Sequence, residues 1–148
     1  MVAYIQNRKA HFNYEVLEKY EGGIELAGNE VKSVRNGRIS LEGAFVIVRG
    51  GEVFLINANI DPYQPKNAPK DYNPLRNRKI LLTKKEIAEL GESEKNKSLT
   101  IIPISLYNKG RKIKIEVALV KGKKQHDKRE TTKKRETDRE LRREYKAR

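Results

Sequence analysis

No cysteine occurs anywhere in the chain, which excludes disulfides and zinc sites built on thiolates. Histidine is nearly as scarce: with only His11 and His126, far apart, any metal would have to rest on carboxylates. No apolar run approaches the roughly eighteen residues that a membrane span needs. Met1 to Ala10 also lacks the apolar centre of a secretory signal, so a cytoplasmic protein is expected. Neither a Gly-x-Gly-x-x-Gly pattern nor a P-loop is present, and neither histidine stands beside a serine. Catalytic groups can converge from distant positions, but no motif here marks an enzyme. Neither catalysis nor a cofactor is expected.

What the chain has in excess is positive charge. Its 148 residues include 33 Lys or Arg against 20 Asp or Glu, a formal charge of +13. A field of that sign draws in polyanions at ordinary salt, so RNA, DNA and anionic membrane are the candidate partners. The excess is uneven. Residues 121–148 hold 13 basic and 6 acidic side chains, a net of +7, and only Leu141, Tyr145 and Ala147 are hydrophobic. Residues 1–120 hold 20 and 14, a net of +6, with 51 hydrophobic residues. The first 120 residues can bury a core; residues 121–148 cannot offset their ordering entropy and are expected to form a basic tail, unfolded when free.

The body reads as mainly β. In Arg111 to Val120, Ile113, Ile115, Val117 and Leu119 alternate with Lys112, Lys114 and Glu116, the pattern of a half-buried strand with a basic outer face. Asn108-Lys109-Gly110 is a turn signal before it, and Leu99 to Tyr107 a β-branched run, so the two predict a hairpin with an edge or bulge at Pro103. Ala44 to Val48 and Glu52 to Ile56 flank Gly50-Gly51 as a second hairpin. Tyr14 to Tyr20 and Ile24 to Leu26, broken by Gly22-Gly23, predict a bent strand. Strands at this spacing favour a small antiparallel barrel over a layered α/β sheet.

Two short helices are expected beside the barrel. Thr83 and Glu86 have capping-box spacing, with Leu82 and Ile87 as a hydrophobic staple. Asn29 to Asn36 has a candidate cap at Asn29, Val31 and Val34 one turn apart, and Gly37 suited to a left-handed C-terminal position. Asp127 and Glu130 repeat the capping-box spacing in the tail, and Glu130 with Lys134 and Asp138 with Arg142 are acid-first i,i+4 pairs. Four of the five prolines lie between Asp61 and Arg78, which predicts a long surface loop.

The cations Arg76, Arg78, Lys79, Lys84 and Lys85 fall within ten residues, next to a helix N-terminus. Such a cluster suits phosphate contacts, although basic clusters are also ordinary solvated surface. Glu30 favours a helix dipole whatever else it does, and Asn7 reads equally as a turn former or as an amide able to bond a base edge. Asp61 and Asp71 are the carboxylates on which a metal-dependent nuclease would have to be built.

Four blocks then carry a resemblance: Asn7-Arg8-Lys9-Ala10; Gly28-Asn29-Glu30-Val31-Lys32-Ser33-Val34-Arg35; Asn73 through Leu82; and Gly122-Lys123-Lys124-Gln125-His126-Asp127-Lys128-Arg129. In order and spacing the chain resembles the SsrA-binding protein family, bacterial partners of transfer-messenger RNA. The resemblance implies an oligonucleotide-binding-fold barrel with flanking helices, which binds the tRNA-like part of that RNA and delivers it to stalled ribosomes. It implies no catalysis, no membrane partner, and a monomer. Carried over by position, it assigns RNA contact to Asn7 and Glu30, to which the cations Lys32, Arg35, Arg76, Arg78 and Lys79 are added. For Glu30 it implies a carboxylate accepting from base amino groups. It assigns ribosome contact, in a helix along the message channel, to the tail residues Gly122, Lys123, Lys124, His126, Asp127, Lys128 and Arg129, with His126 at the decoding centre. Asn73, Asn77 and Asn108 depart from the family's commoner residues and leave the charge placement intact. The alternative is a general single-strand RNA binder on the same barrel, which would rely on exposed aromatic platforms; the body has nine aromatics and no aromatic-rich strand repeat.

Overall fold

The computed structural model describes residues 3–8, 10–64 and 70–122. In chain order the elements are β1 (Ala3–Gln6), α1 (Ala10–Asn13), β2 (Tyr14–Ile24), α2 (Gly28–Arg35), β3 (Ile39–Ser40), β4 (Phe45–Arg49), β5 (Glu52–Ile56), β6 (Asn59–Ile60), β7 (Arg78–Leu81), α3 (Lys84–Glu94), β8 (Leu99–Lys109) and β9 (Lys112–Gly122). The main sheet runs β1-β8-β4-β5-β7-β2-β9, and β9 pairs back onto β8, so six antiparallel strands close into a ring. Closure is possible because β8 divides one of its edges. It pairs with β9 along its whole length on one side, and on the other with β4 at Ile101 and with β1 from Ser105 to Tyr107. The fold expectation, a small mainly β barrel with short flanking helices, is what the structure shows.

Alternation decides which side chains fill the ring. Ile113, Ile115, Val117 and Leu119 of β9 join Val53, Leu55, Ile80, Ile101 and Leu106 in the main core. Ala118 and Val120 are also buried, although they point the other way; with Ile102 and Ile104 they form a smaller cluster against Ala10, outside the barrel. The register slips between Pro103 and Ser105, the bulge expected at a residue with no N–H to donate. The β4–β5 turn closes through Gly50 and Gly51, both with positive φ, and β8–β9 through Gly110. β9 runs to Gly122, where it pairs with Tyr14, two residues into the stretch expected as tail. The second capping box and the ribosome-contact residues from Lys123 onward lie outside the described residues.

Several expectations need correction. Gly22-Gly23 does not break a strand: β2 is continuous from Tyr14 to Ile24, and its irregularity lies between Val16 and Glu18. Gly22 is there for close approach, since a Cβ on it would come within 2.6 Å of the Leu81 carbonyl oxygen. Gly22→Ala is accordingly expected to cost about 1–3 kcal/mol, read by urea denaturation, because the obstruction is backbone and cannot rotate aside. A variant as stable as wild type would show that β2 and β7 separate freely. Strand β7 was not anticipated: Arg-Lys-Ile-Leu hides its alternation because the core-facing position at its start is an arginine, Arg78, with no exposed surface.

Helix α3 begins as expected. The Thr83 hydroxyl accepts from Glu86 N–H at 3.2 Å while Glu86 Oε1 accepts from Thr83 N–H at 3.1 Å. Helix α2 is capped two residues before the expected Asn29. Its N-cap is Ala27, whose N–H donates to Glu30 Oε1 at 2.9 Å. Alanine offers no acceptor in return, so only the reciprocal half of a capping box forms. At the other end Gly37 takes the left-handed conformation, φ 73°.

Candidate nucleic-acid interface

Glu30 lies on the inward side of α2, and its side chain is fully buried together with that of Arg78. Glu30 Oε2 accepts from Arg78 Nε at 2.9 Å and Arg78 Nη2 at 2.6 Å, and from Arg76 Nε at 3.1 Å; Arg76 Nη2 bonds Oε1. The rest of the Arg78 fork is satisfied by the carbonyls of Ala58, at 2.7 Å, and Pro74, at 3.0 Å. Tyr72 donates to the Ile60 carbonyl at 2.8 Å beside them. One carboxylate thus joins α2, β7, the loop after Ile60 and the end of that loop at Pro74.

Burial alone would push the Glu30 carboxyl up, but the hydrogen bonds from Arg76, Ala27 N–H and Arg78, with the Arg78 charge, outweigh it and hold the pKa at about 2. The cluster of one anion and two cations keeps a net positive charge, and Arg76 is its half-exposed member. Tyr72 titrates above its ordinary range because it is half-buried and lies beside the Glu30 charge.

The solvent side of α2 is cationic. Val31 and Arg35 are i,i+4 and share one stripe; Ser33, whose hydroxyl donates to the Asp61 carbonyl at 2.6 Å, lies about 160° around the helix. On the Val31 flank, a cleft of about 440 Å³ has an apolar floor of Ile24, Leu26, Leu81 and Ile113 and a rim of Arg35, Arg111, Lys112 and Lys114. Arg35 Nη2 donates to the Arg111 carbonyl at 3.1 Å, which ties the helix to the β8–β9 turn across the cleft. Leu81 is a large apolar side chain left 48% exposed on this floor. Near Lys114, Glu21 takes hydrogen bonds from Lys109 and Tyr107, which hold its carboxyl below the usual range. Apolar contact ringed by four cations suits a sugar and base edge with flanking phosphates.

The residues expected at the site therefore separate into groups. Glu30, Arg76 and Arg78 meet one another, but Glu30 and Arg78 are interior: both Glu30 oxygens, expected to accept from a base, are bonded within the protein and out of solvent. Arg78 likewise offers no surface to a phosphate. Lys32 and Arg35 are exposed on α2. Lys79 points elsewhere, with Nζ 3.5 Å from Glu52 across β5. Asn7 is apart from them all; its amide donates to the Pro103 carbonyl at 3.1 Å, and it lines a second cleft of about 990 Å³ with Tyr4, Tyr14, Leu41 and Phe45. Arg111, Lys112 and Lys114 were missed as a set, although the basic outer face of β9 was the signal that could have marked them. Among the described residues, no group of three or more Asp, Glu or His is placed to hold a metal ion.

Comparison with known proteins agrees with this architecture. The model of the SmpB protein family matches residues 4–147. The SsrA-binding protein of Mesoplasma florum is 51% identical over 140 residues, 95% of this chain and 94% of that one. That of Mycoplasma mycoides subsp. mycoides is 47% identical over 142 residues, 96% of each. A solved structure described as "tmRNA-SmpB: a journey to the center of the bacterial ribosome" is similar with a TM-score of 0.68 and 40% identity, over 82% of this chain and 85% of that one. With a family model that matches residues 4–147 and relatives about half identical over nearly their whole length, the chain belongs to the SmpB protein family.

Proposed function

We propose that the protein binds the tRNA-like part of transfer-messenger RNA and delivers it to stalled ribosomes, where that RNA accepts the nascent chain and supplies a reading frame for a degradation tag. The observation that carries the reading is the cation-rimmed cleft beside α2 in a chain of this family. Curated relatives are SsrA-binding proteins, and the solved relative is described with transfer-messenger RNA and the bacterial ribosome. The barrel supplies a rigid frame: α2 is pinned by the Glu30 cluster, and its Arg35 faces the cations of the β8–β9 turn. Phosphate contacts position the RNA, and the shape of the surface selects a folded RNA over a single strand. The tail from Lys123 onward reaches the small ribosomal subunit. The protein makes and breaks no bond, works in the cytoplasm, and acts as a monomer.

Alanine at Arg35, Arg111, Lys112 and Lys114 tests this on the intact protein. Each substitution is expected to weaken binding to the tRNA-like RNA and to lower the slope of log affinity against log salt by about one. Competition between the tRNA-like RNA and poly-U decides the alternative: a preference for poly-U would make this a general single-strand binder.

A further inference from the structure

Residues Asp61 to Tyr63 leave the barrel after β6 and are pinned against α2 and the turn that follows it. The Asp61 carbonyl accepts from the Ser33 hydroxyl at 2.6 Å, the Asp61 N–H donates to the Arg38 carbonyl at 3.2 Å, and Arg38 Nη1 donates to the Tyr63 carbonyl at 3.2 Å. Pro62 fixes φ between the two anchored residues. These restraints place the Tyr63 ring, half-exposed, beside the cationic crest of α2, where Lys32 Nζ lies 5.6 Å from the ring centroid. Arg38 is exposed on the same side. The carboxylate nearby, Asp61, accepts from Asn59 Nδ2 at 2.9 Å.

We infer that Tyr63 is a stacking platform for an unpaired base of the bound RNA, with Lys32 and Arg38 taking the phosphates on either side of that base. This rests on the RNA-binding reading above and extends the interface over α2, from the cleft on its Val31 flank to its Ser33 flank. A lysine over an exposed ring is a weak contact that a long side chain makes and leaves readily. A base stacked on the ring is the stronger occupant, and the displaced ammonium then has a phosphate within reach. The ring pays little ordering entropy on binding, because the Asp61-to-Tyr63 segment that carries it is already held by three hydrogen bonds, one of them to the Tyr63 carbonyl.

The test uses the full-length protein, the isolated tRNA-like domain as probe, and three substitutions. Tyr63→Phe should bind as wild type, since stacking does not need the hydroxyl. Tyr63→Ala should bind about tenfold more weakly with an unchanged salt slope, because no charge is lost. Tyr63→Trp introduces the chain's sole tryptophan, and its emission should be quenched saturably by the RNA. Full affinity in Tyr63→Ala, or steady Tyr63→Trp emission while the RNA still binds, overturns the platform and leaves the RNA-binding reading standing. Failure of the wild-type protein to bind the probe removes that reading and the platform with it.

Discussion

Glu30→Gln is expected to destabilise the body by about 3–5 kcal/mol, because it leaves the fully buried Arg78 guanidinium without its anion. An amide of the same shape can accept through one atom only, and its NH2 group would face the donors of Arg76 and Arg78. In a domain of this size the loss corresponds to a fall in melting temperature of roughly 10 °C, measurable by circular dichroism. Arg76→Gln should cost much less, since Arg76 is half-exposed and Arg78 continues to pair with Glu30. If the two substitutions cost the same, the interior pair is not what fastens α2 to the barrel.

The same carboxylate sets an acid limit. Its pKa falls from an ordinary value of 4.5 to about 2 in the folded protein. A group depressed on folding contributes its full stabilisation above the unfolded pKa and loses it as pH falls towards the folded one. The difference amounts to about 3 kcal/mol, lost between about pH 4.5 and pH 2. Wild type should therefore lose more stability than Glu30→Gln over that interval. Parallel acid titrations of the two proteins would show that another carboxylate carries the loss.

Removal of residues 123–148 is expected to leave binding to the tRNA-like RNA and to abolish tagging on stalled ribosomes. The cut belongs after Gly122 because Lys121 and Gly122 complete the pairing of β9 with Glu15 and Tyr14; a cut after Val120 would fray the barrel and confuse the result. Filter binding measures the first activity, and incorporation of the tag in a reconstituted translation reaction the second. The salt slope of RNA binding should fall little if the tail faces the ribosome. An equal loss of both activities would mean that body and tail share one RNA contact.

Much of the barrel was legible because its strands obey local rules. Ile113 to Leu119 show their period, Thr83 and Glu86 their capping distance, and Gly50-Gly51 their turn. The parts that were not legible break those rules for reasons located elsewhere in the chain. Arg78 occupies a core-facing strand position that is acceptable only because Glu30, 48 residues away, supplies its counter-charge. Gly22 looks like a turn residue until Leu81 comes against it. Ala27 makes a poor cap by its own chemistry and serves as one because Glu30 reaches back to its N–H.

The interface divides along the same line. By itself the sequence determined that the protein is basic, that the excess is shared between residues 1–120, rich in apolar side chains, and residues 121–148, with only three, and that the first of these is a small β structure, because charge and periodicity are properties of neighbours along the chain. Which of its cations face outward was decided only by the tertiary structure. Arg78 and Glu30 went inside as a pair, while Arg35, Arg111, Lys112 and Lys114 converged from α2, the β8–β9 turn and the start of β9. The physical reason is that an ion is buried or exposed according to the partners that closure of the barrel brings to it, and those partners are distant in sequence.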